Sequence, residues 1–262
     1  MMSQIQETYN KQKAAVWLTV MIVAIVLIDQ ALKFWVKLSF PLGSGVDVCG
    51  WFQIYFVENK GMAFGLELGS KIFLTSFRIL ACVAIIYYLY TLIKRGFRRS
   101  FVFTVGAIFA GAFGNLIDCI FYGKIFSHSI FQTATLFPAN GSYGAWFEGR
   151  VVDMLYFPLI HSSDGGVLFF QPVFNFADTA VTVGVFLVII FFGKDLSRSL
   201  ETKAEREKRE AILVRRVGRA AYTVARYGLQ SGIVQQFSQR HIHRSRHRRR
   251  HQGGCIILSP SL

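Results

Sequence analysis

The stretch VFNFADTAVTVGVFLVIIFF, Val173 to Phe192, decides how the chain is read. It is apolar enough to enter a membrane, yet Asn175 and Asp178 stand near its start. A carboxylate at the centre of a bilayer costs roughly 2.5–3.5 kcal/mol even on the mildest scale. Asp178 therefore needs a partner or a place at the membrane edge. Three other stretches are comparably apolar: Ala14 to Leu38, Ile72 to Ile93 and Phe101 to Gly123. Each is close to the ~20 residues that cross ~30 Å of hydrocarbon as a helix. The first runs on through DQALKFWVK without a small-residue cleavage site, so it reads as a retained span rather than a signal peptide.

Composition agrees. The 262 residues are 53% hydrophobic and only 17% charged, against roughly 25% charged in an ordinary soluble domain. The net charge of +14 is lopsided: from Lys194 onward there are 16 Lys and Arg against 5 Asp and Glu. The basic part is a tail on a membrane domain, and no nucleic-acid partner is expected. Cys49, Cys82, Cys119 and Cys255 form no C-x-x-C pair. Neither a disulfide framework nor a metal site follows, and no cofactor motif is present.

Flanking Lys and Arg suggest the orientation. Lys11 and Lys13 precede the first stretch, KRGFRR links the second to the third, and Lys194 and Arg198 follow the fourth. The expectation is an all-α polytopic membrane protein with four transmembrane helices and both termini cytoplasmic. Residues 14–193 form its membrane domain. Residues 194–262 form a basic tail, partly helical or disordered, that anionic lipid headgroups would attract. The other side holds residues 39–71 and 124–172, where WFQIYFVE and GGVLFFQPVF predict a small extracytoplasmic β-rich element.

The polar residues at membrane depth carry the chemistry. Asn115 and Asp118 in GNLID, and Asn175 and Asp178 in FNFAD, share an N-x-x-D spacing that puts each pair on one helix face. The third stretch runs outward and the fourth inward, so both pairs come to one membrane face. Asp153 in GRVVDMLYFP lies between two valines and an apolar run, an odd setting for a solvated carboxylate. Asp29 and Lys33, four apart, share a face of the first helix; either Lys33 snorkels at the interface or the pair contacts substrate. In VENKGMAFG, Asn59, Gly61 and Gly65 are open to a turn or a site reading. Arg78 stands mid-span without an evident partner. Two close carboxylates cannot both ionise; they share a proton and can activate water against a peptide carbonyl. Transporters also use intramembrane carboxylates as proton relays. Residue chemistry alone leaves both a peptidase and a small proton- or ion-coupled carrier open, with a non-catalytic scaffold as a third reading.

VENKGMAFG, GNLID, VVD and FNFAD, in this order on four spans and with DQxxK in the first helix, resemble the bacterial lipoprotein signal peptidases (signal peptidase II). The resemblance covers about Val16 to Gly193. It implies an aspartic endopeptidase of the bacterial inner membrane, with its site near the outer leaflet on the periplasmic side. Such enzymes remove signal peptides from prolipoproteins, cutting before a cysteine that carries a diacylglyceryl group. Asp153 and Asp178 would be the catalytic pair. Asn115, Asp118 and Asn175 would orient the site, Asn59 would line it, and Asp29, Lys33 and Gly61 would support it. Many relatives carry arginine after this aspartate; here Cys119 follows Asp118, and Arg150 is the candidate replacement. The segment before VVD is also long. The expected partners are lipid-modified prolipoproteins and membrane lipids, with the enzyme a monomer.

Overall fold

The computed structural model describes residues 2–60, 71–139, 141–161, 167–169 and 172–226, with side chains from residue 12 through 159 and 172 to 220 within those ranges. Gly61, Gly65, Asp164 and Cys255 lie outside the described residues. The chain divides into two compact units, Met1–Ser199 and Leu200–Leu262.

In the first unit, α1 (Met2–Ser39) leads to the antiparallel hairpin of β1 (Gly45–Cys49) and β2 (Phe52–Asn59). α2 (Lys71–Lys94) and α3 (Arg99–Ile117) follow, joined by the basic link. α3 passes into a π-helical turn, Asp118–Tyr122, and one last α-turn, α4 (Gly123–Ile125). After a long loop come β3 (Val151–Tyr156), the β4 (Ile160–His161) and β5 (Val167–Phe169) pair, and β6 (Val173–Phe174). α5 (Phe176–Phe191) and α6 (Gly193–Leu200) close the unit. The main sheet is antiparallel in the order β1-β2-β3-β6, with Val57 opposite Asp153 and Leu155 opposite Phe174.

Among the described residues, three helices are long and apolar enough to cross a membrane, Gln12–Ser39, Lys71–Lys94 and Arg99–Ile125, and the bent pair Phe176–Phe191 and Gly193–Leu200 would make a fourth if it is one span. At Val173 and Phe174 the β-like run GGVLFFQPVF overlaps the fourth apolar stretch. Val173 and Phe174 are strand, and the helix begins only after Asn175. Its 16 residues give about 24 Å of rise, and it meets α6 at an 88° bend. Phe192, Arg98 and α6 gather at that bend: the Arg98 guanidinium lies over the Phe192 ring, and Arg95 donates to the Arg198 carbonyl at 2.9 Å. The KRGFRR link and the start of the basic region therefore share one end of the bundle.

Two cores hold the unit together. Leu89, Leu92, Phe101, Val105, Phe109 and Val188 belong to the core among the helices. Val36, Phe56, Tyr122, Phe126, Val152 and Met154 seal the sheet against the ends of α1 and α3. α3 and α5 approach closely because Gly111 has no side chain; a Cβ there would stand 2.3 Å from the Ala177 carbonyl oxygen. This small-residue contact is the usual route to tight helix packing in lipid.

The second unit contains α7 (Lys203–Arg226). Thr202 and Glu205 cap its start reciprocally, Thr202 N donating to Glu205 Oε2 at 2.7 Å and Glu205 N to Thr202 Oγ1 at 3.3 Å. The basic run beyond Arg226 lies outside the described residues.

Candidate active site

Asn175 makes the turn from β6 into α5. Its backbone is extended and its Oδ1 accepts from Asp178 N at 2.8 Å, while Asp178 Oδ2 accepts from Asn175 N at 3.4 Å. This capping box puts the Asp178 carboxylate at the positive end of the helix. Because Asp178 N can only donate, the cap also fixes the Asn175 amide: Oδ1 faces α5 and Nδ2 faces away. That Nδ2 donates to Asp153 Oδ1 at 2.7 Å and to Asn115 Oδ1 at 3.1 Å. Asn115 is oriented in the same manner. Lys33 Nζ, a pure donor, holds its Oδ1 at 2.8 Å, leaving Asn115 Nδ2 to donate to Asp178 Oδ1 at 2.7 Å. Asp153 and Asp178 are thus joined through one asparagine amide, and a second asparagine braces the arrangement.

Beneath them lies a buried ion cluster. Lys33 Nζ is 2.9 Å from Asp29 Oδ2 and 2.8 Å from Asp118 Oδ2, with all three side chains at 0–1% exposure. The snorkelling reading of Lys33 is therefore overturned: its charge is drawn inward by two carboxylates rather than outward to headgroups. Asp29 Oδ1 accepts from Ala177 N at 2.9 Å, a second support for the α5 N-terminus. Asp118 Oδ2 accepts from Val152 N at 3.2 Å and so grips β3 one residue before Asp153. Gln30 Nε2 spans Asp118 Oδ1 and the Gly114 carbonyl at 3.0 and 3.1 Å, and Tyr122 donates to Gln30 Oε1 at 3.1 Å. Breaking such a buried cluster by removing one member costs about 3–5 kcal/mol, because the remaining charges lose their compensation.

Asp153, on a buried strand face with 2% exposure, is pushed up to about 7. Burial is the largest cause and the Asp178 charge the next; hydrogen bonds from Asn175 and Asn59 oppose them. One carboxyl of the pair is therefore poised to hold a proton near neutrality, as general acid–base work requires.

A neighbouring cluster departs from expectation. Arg150 does not join the aspartates; its Nη1 pairs with Glu58 Oε2 at 2.9 Å. Lys37 contacts the other oxygen of Glu58 and lies over the Phe56, Phe126 and Tyr143 rings at 4.9–5.5 Å. Burial would raise the Glu58 carboxyl, but Lys37 and Arg150 together hold it below the usual range. Lys37 and Glu58 escaped the sequence reading, although Lys37 follows Lys33 by one helical turn and Glu58 precedes Asn59. Arg78, without an evident partner in the sequence, reaches Cys119 Sγ from α2 at 2.6 Å.

The structure brings Asn59, Asn115, Asp153, Asn175 and Asp178 together, with Asp29, Lys33 and Asp118 below them. A family model described as signal peptidase (SPase) II matches residues 21–193, which contain all eight. The lipoprotein signal peptidase of Porphyromonas gingivalis is 48% identical over 193 residues, covering 70% of this chain and 85% of that protein. That of Amoebophilus asiaticus is 37% identical over 183 residues, covering 63% and 72%. A solved bacterial membrane enzyme aligns more loosely, at 24% identity and TM-score 0.48 over 71% of this chain and 93% of its own. With the polar cluster inside the matched region and nearly half the aligned residues shared with a curated relative, the chain belongs to the signal peptidase II family, a family of multi-pass membrane peptidases.

Proposed function

We propose that this chain is an aspartic endopeptidase that removes the signal peptide of diacylglyceryl-modified prolipoproteins by cutting before the lipidated cysteine. The supporting observation is the Asp153–Asn175–Asp178 linkage, in which one carboxyl is pushed up to about 7 beside another. Asp178 acts as the base. It takes a proton from a water placed between the carboxylates, and the water oxygen attacks the scissile carbonyl carbon. Asp153 donates its proton to the carbonyl oxygen. Collapse of the tetrahedral intermediate breaks the C–N bond: one hydroxyl returns its proton to Asp153 as the carbonyl re-forms, and the proton held by Asp178 passes to the leaving amine. Asn115 and Asn175 hold both carboxyls in place throughout, and Asn59 tempers the basicity of Asp153. Preorganised groups of this kind need no rearrangement as charge develops.

The site lies at the ends of α1 and α3, the start of α5 and the adjoining sheet. The basic residues gather at the opposite ends of the helices. We place that basic end, with both termini, in the cytoplasm of a bacterium and the site on the periplasmic side of the inner membrane. A carrier would distribute polar groups through the bilayer and break its helices near the midplane. Here the polar groups collect at one end, and family membership points to peptide hydrolysis.

The test is cleavage by the purified full chain in liposomes, with the product mass-analysed. A lipid-modified precursor is cut before its cysteine, the unmodified precursor is spared, and a chelator changes nothing. Equal cleavage of the unmodified precursor, or dependence on a metal, contradicts this reading.

A further inference from the structure

The segment from Phe126 to Gly149 is used by the site only at its base, where Tyr143 and Ser129 contact the Lys37–Glu58–Arg150 cluster. Its outer surface has a different chemistry. Of its 24 residues, Glu148 alone is an Asp, Glu, Lys or Arg, while six are aromatic. Phe131 is 98% exposed and Phe137 73%, with Ile130 and Leu136 exposed beside them. Phe131, Phe137 and Phe147 all adopt left-handed backbone angles, φ 57°, 47° and 68°. Bulky side chains rarely accept that region, and such strain persists only where the surroundings hold it. An uncharged aromatic turn presented to water is an association hazard unless something apolar covers it.

The backbone indicates what covers it. The segment is fastened to the ends of two spans. Ala134 N donates to the Lys37 carbonyl at 3.2 Å and Leu42 N to the Ser129 carbonyl at 2.8 Å, at the end of α1. Phe137 N donates to the Ile125 carbonyl at 2.7 Å, Gly144 N to Gly123 at 2.9 Å and Phe147 N to Ile120 at 3.1 Å, along the end of the third span. The segment thus begins at the end of that span and runs back beside its last turns. There Trp146 meets Phe121, an exposed residue on the flank of the span, edge to face at 5.7 Å. Trp35, also exposed, meets Phe40 edge to face at 5.6 Å at the corresponding end of α1. Aromatic side chains at this level are the usual anchors in the interfacial zone of a bilayer.

We propose that the segment is a lipid-facing collar. The turn from Ile130 to Phe137 enters the interfacial zone of the leaflet around the sheet-side ends of α1 and α3, with Phe131 and Phe137 as its anchors. The occupant is the lipid surface itself, because the patch is continuous with the lipid-exposed flanks of two spans and carries almost no charge for a polar partner to read. Insertion is therefore indifferent to headgroup charge. The collar fixes the depth at which the Lys37–Glu58–Arg150 cluster and the neighbouring aspartates sit relative to the bilayer.

The experiment places a trifluoromethyl-phenylalanine at position 131, and separately at 137, in the full chain. The protein is reconstituted in phosphatidylcholine vesicles, with and without phosphatidylglycerol. Fluorine lines are recorded with a nitroxide carried on the lipid acyl chain or with a water-soluble gadolinium chelate. The lipid-borne nitroxide should broaden both lines severalfold more than the aqueous agent. That ratio should not change with phosphatidylglycerol or with dilution of protein in lipid. Stronger broadening by the gadolinium chelate at either position overturns the proposal. So does protection that disappears on dilution, which would make a second copy of the chain the occupant. Protection that requires anionic lipid also contradicts it.

Discussion

Two asparagines of the site have their amide orientation dictated by a donor-only neighbour, Lys33 for Asn115 and the Asp178 backbone for Asn175. Neither amide is free to flip, so each presents an N–H to a carboxylate. Both N-x-x-D pairs were legible in the sequence because helical spacing puts their members on one face. What pairs with what was not, because Lys33 and Asn115 are 82 residues apart and the bond exists only once α1 and α3 pack. Asp153 supplies a prediction at this scale. Pushed up to about 7, it holds a proton below that pH and loses it above, so cleavage should fall as pH rises through about 7. The Asn59 hydrogen bond favours the charged form of Asp153. Asn59→Ala should therefore raise its pKa and move the alkaline limb of the kcat/KM profile to higher pH. A limb that stays put or moves to lower pH would show that Asp153 does not govern it.

At the scale of elements, the π-helical turn Asp118–Tyr122 decides where Asp118 points, and the loop before β3 holds that turn open. Gly149 N donates to the Cys119 carbonyl at 2.9 Å, while Lys71 and Thr75 from α2 take the carbonyls of residues 147–149. A Cβ at Gly149 would stand 1.8 Å from the Asp118 carbonyl oxygen, whereas one at Gly144 would meet only ordinary contacts at 3.6–3.8 Å. Gly149→Ala should cost on the order of 1–3 kcal/mol and lower both Tm and cleavage rate. Gly144→Ala should stay within about 0.5 kcal/mol of the parent. Thermal unfolding of the two variants in detergent checks this, and equal Tm values would contradict the close packing. The apolar stretches announced the helices, and alternation announced β2. The π-turn gave no warning, since its register comes from a loop that bonds back onto it. Val173 and Phe174 belong both to the β-like run GGVLFFQPVF and to the fourth apolar stretch, because strand and helix look alike in a short apolar run; the Asn175 cap separates them.

At the scale of the whole molecule, the membrane unit and the tail differ in what they share with relatives. The family match ends at residue 193, and Leu200–Leu262 forms its own contact unit. The basic composition of the tail was plain in the sequence, but a charge run does not name a partner. Truncation after Ser199 keeps the residue whose carbonyl Arg95 binds and should leave cleavage by the reconstituted enzyme unchanged. Loss of turnover in a correctly inserted truncated protein would assign the tail a part in the reaction.

The central claim is that Asp153 and Asp178 share the chemistry of peptide hydrolysis. The most direct measurement is single-turnover cleavage of a lipid-modified precursor by purified Asp153→Asn and Asp178→Asn variants in liposomes, with folded state checked by thermal unfolding. Each folded variant should lose at least ~10²-fold in rate, the contribution of a positioned acid or base. Full turnover in either folded variant would contradict it.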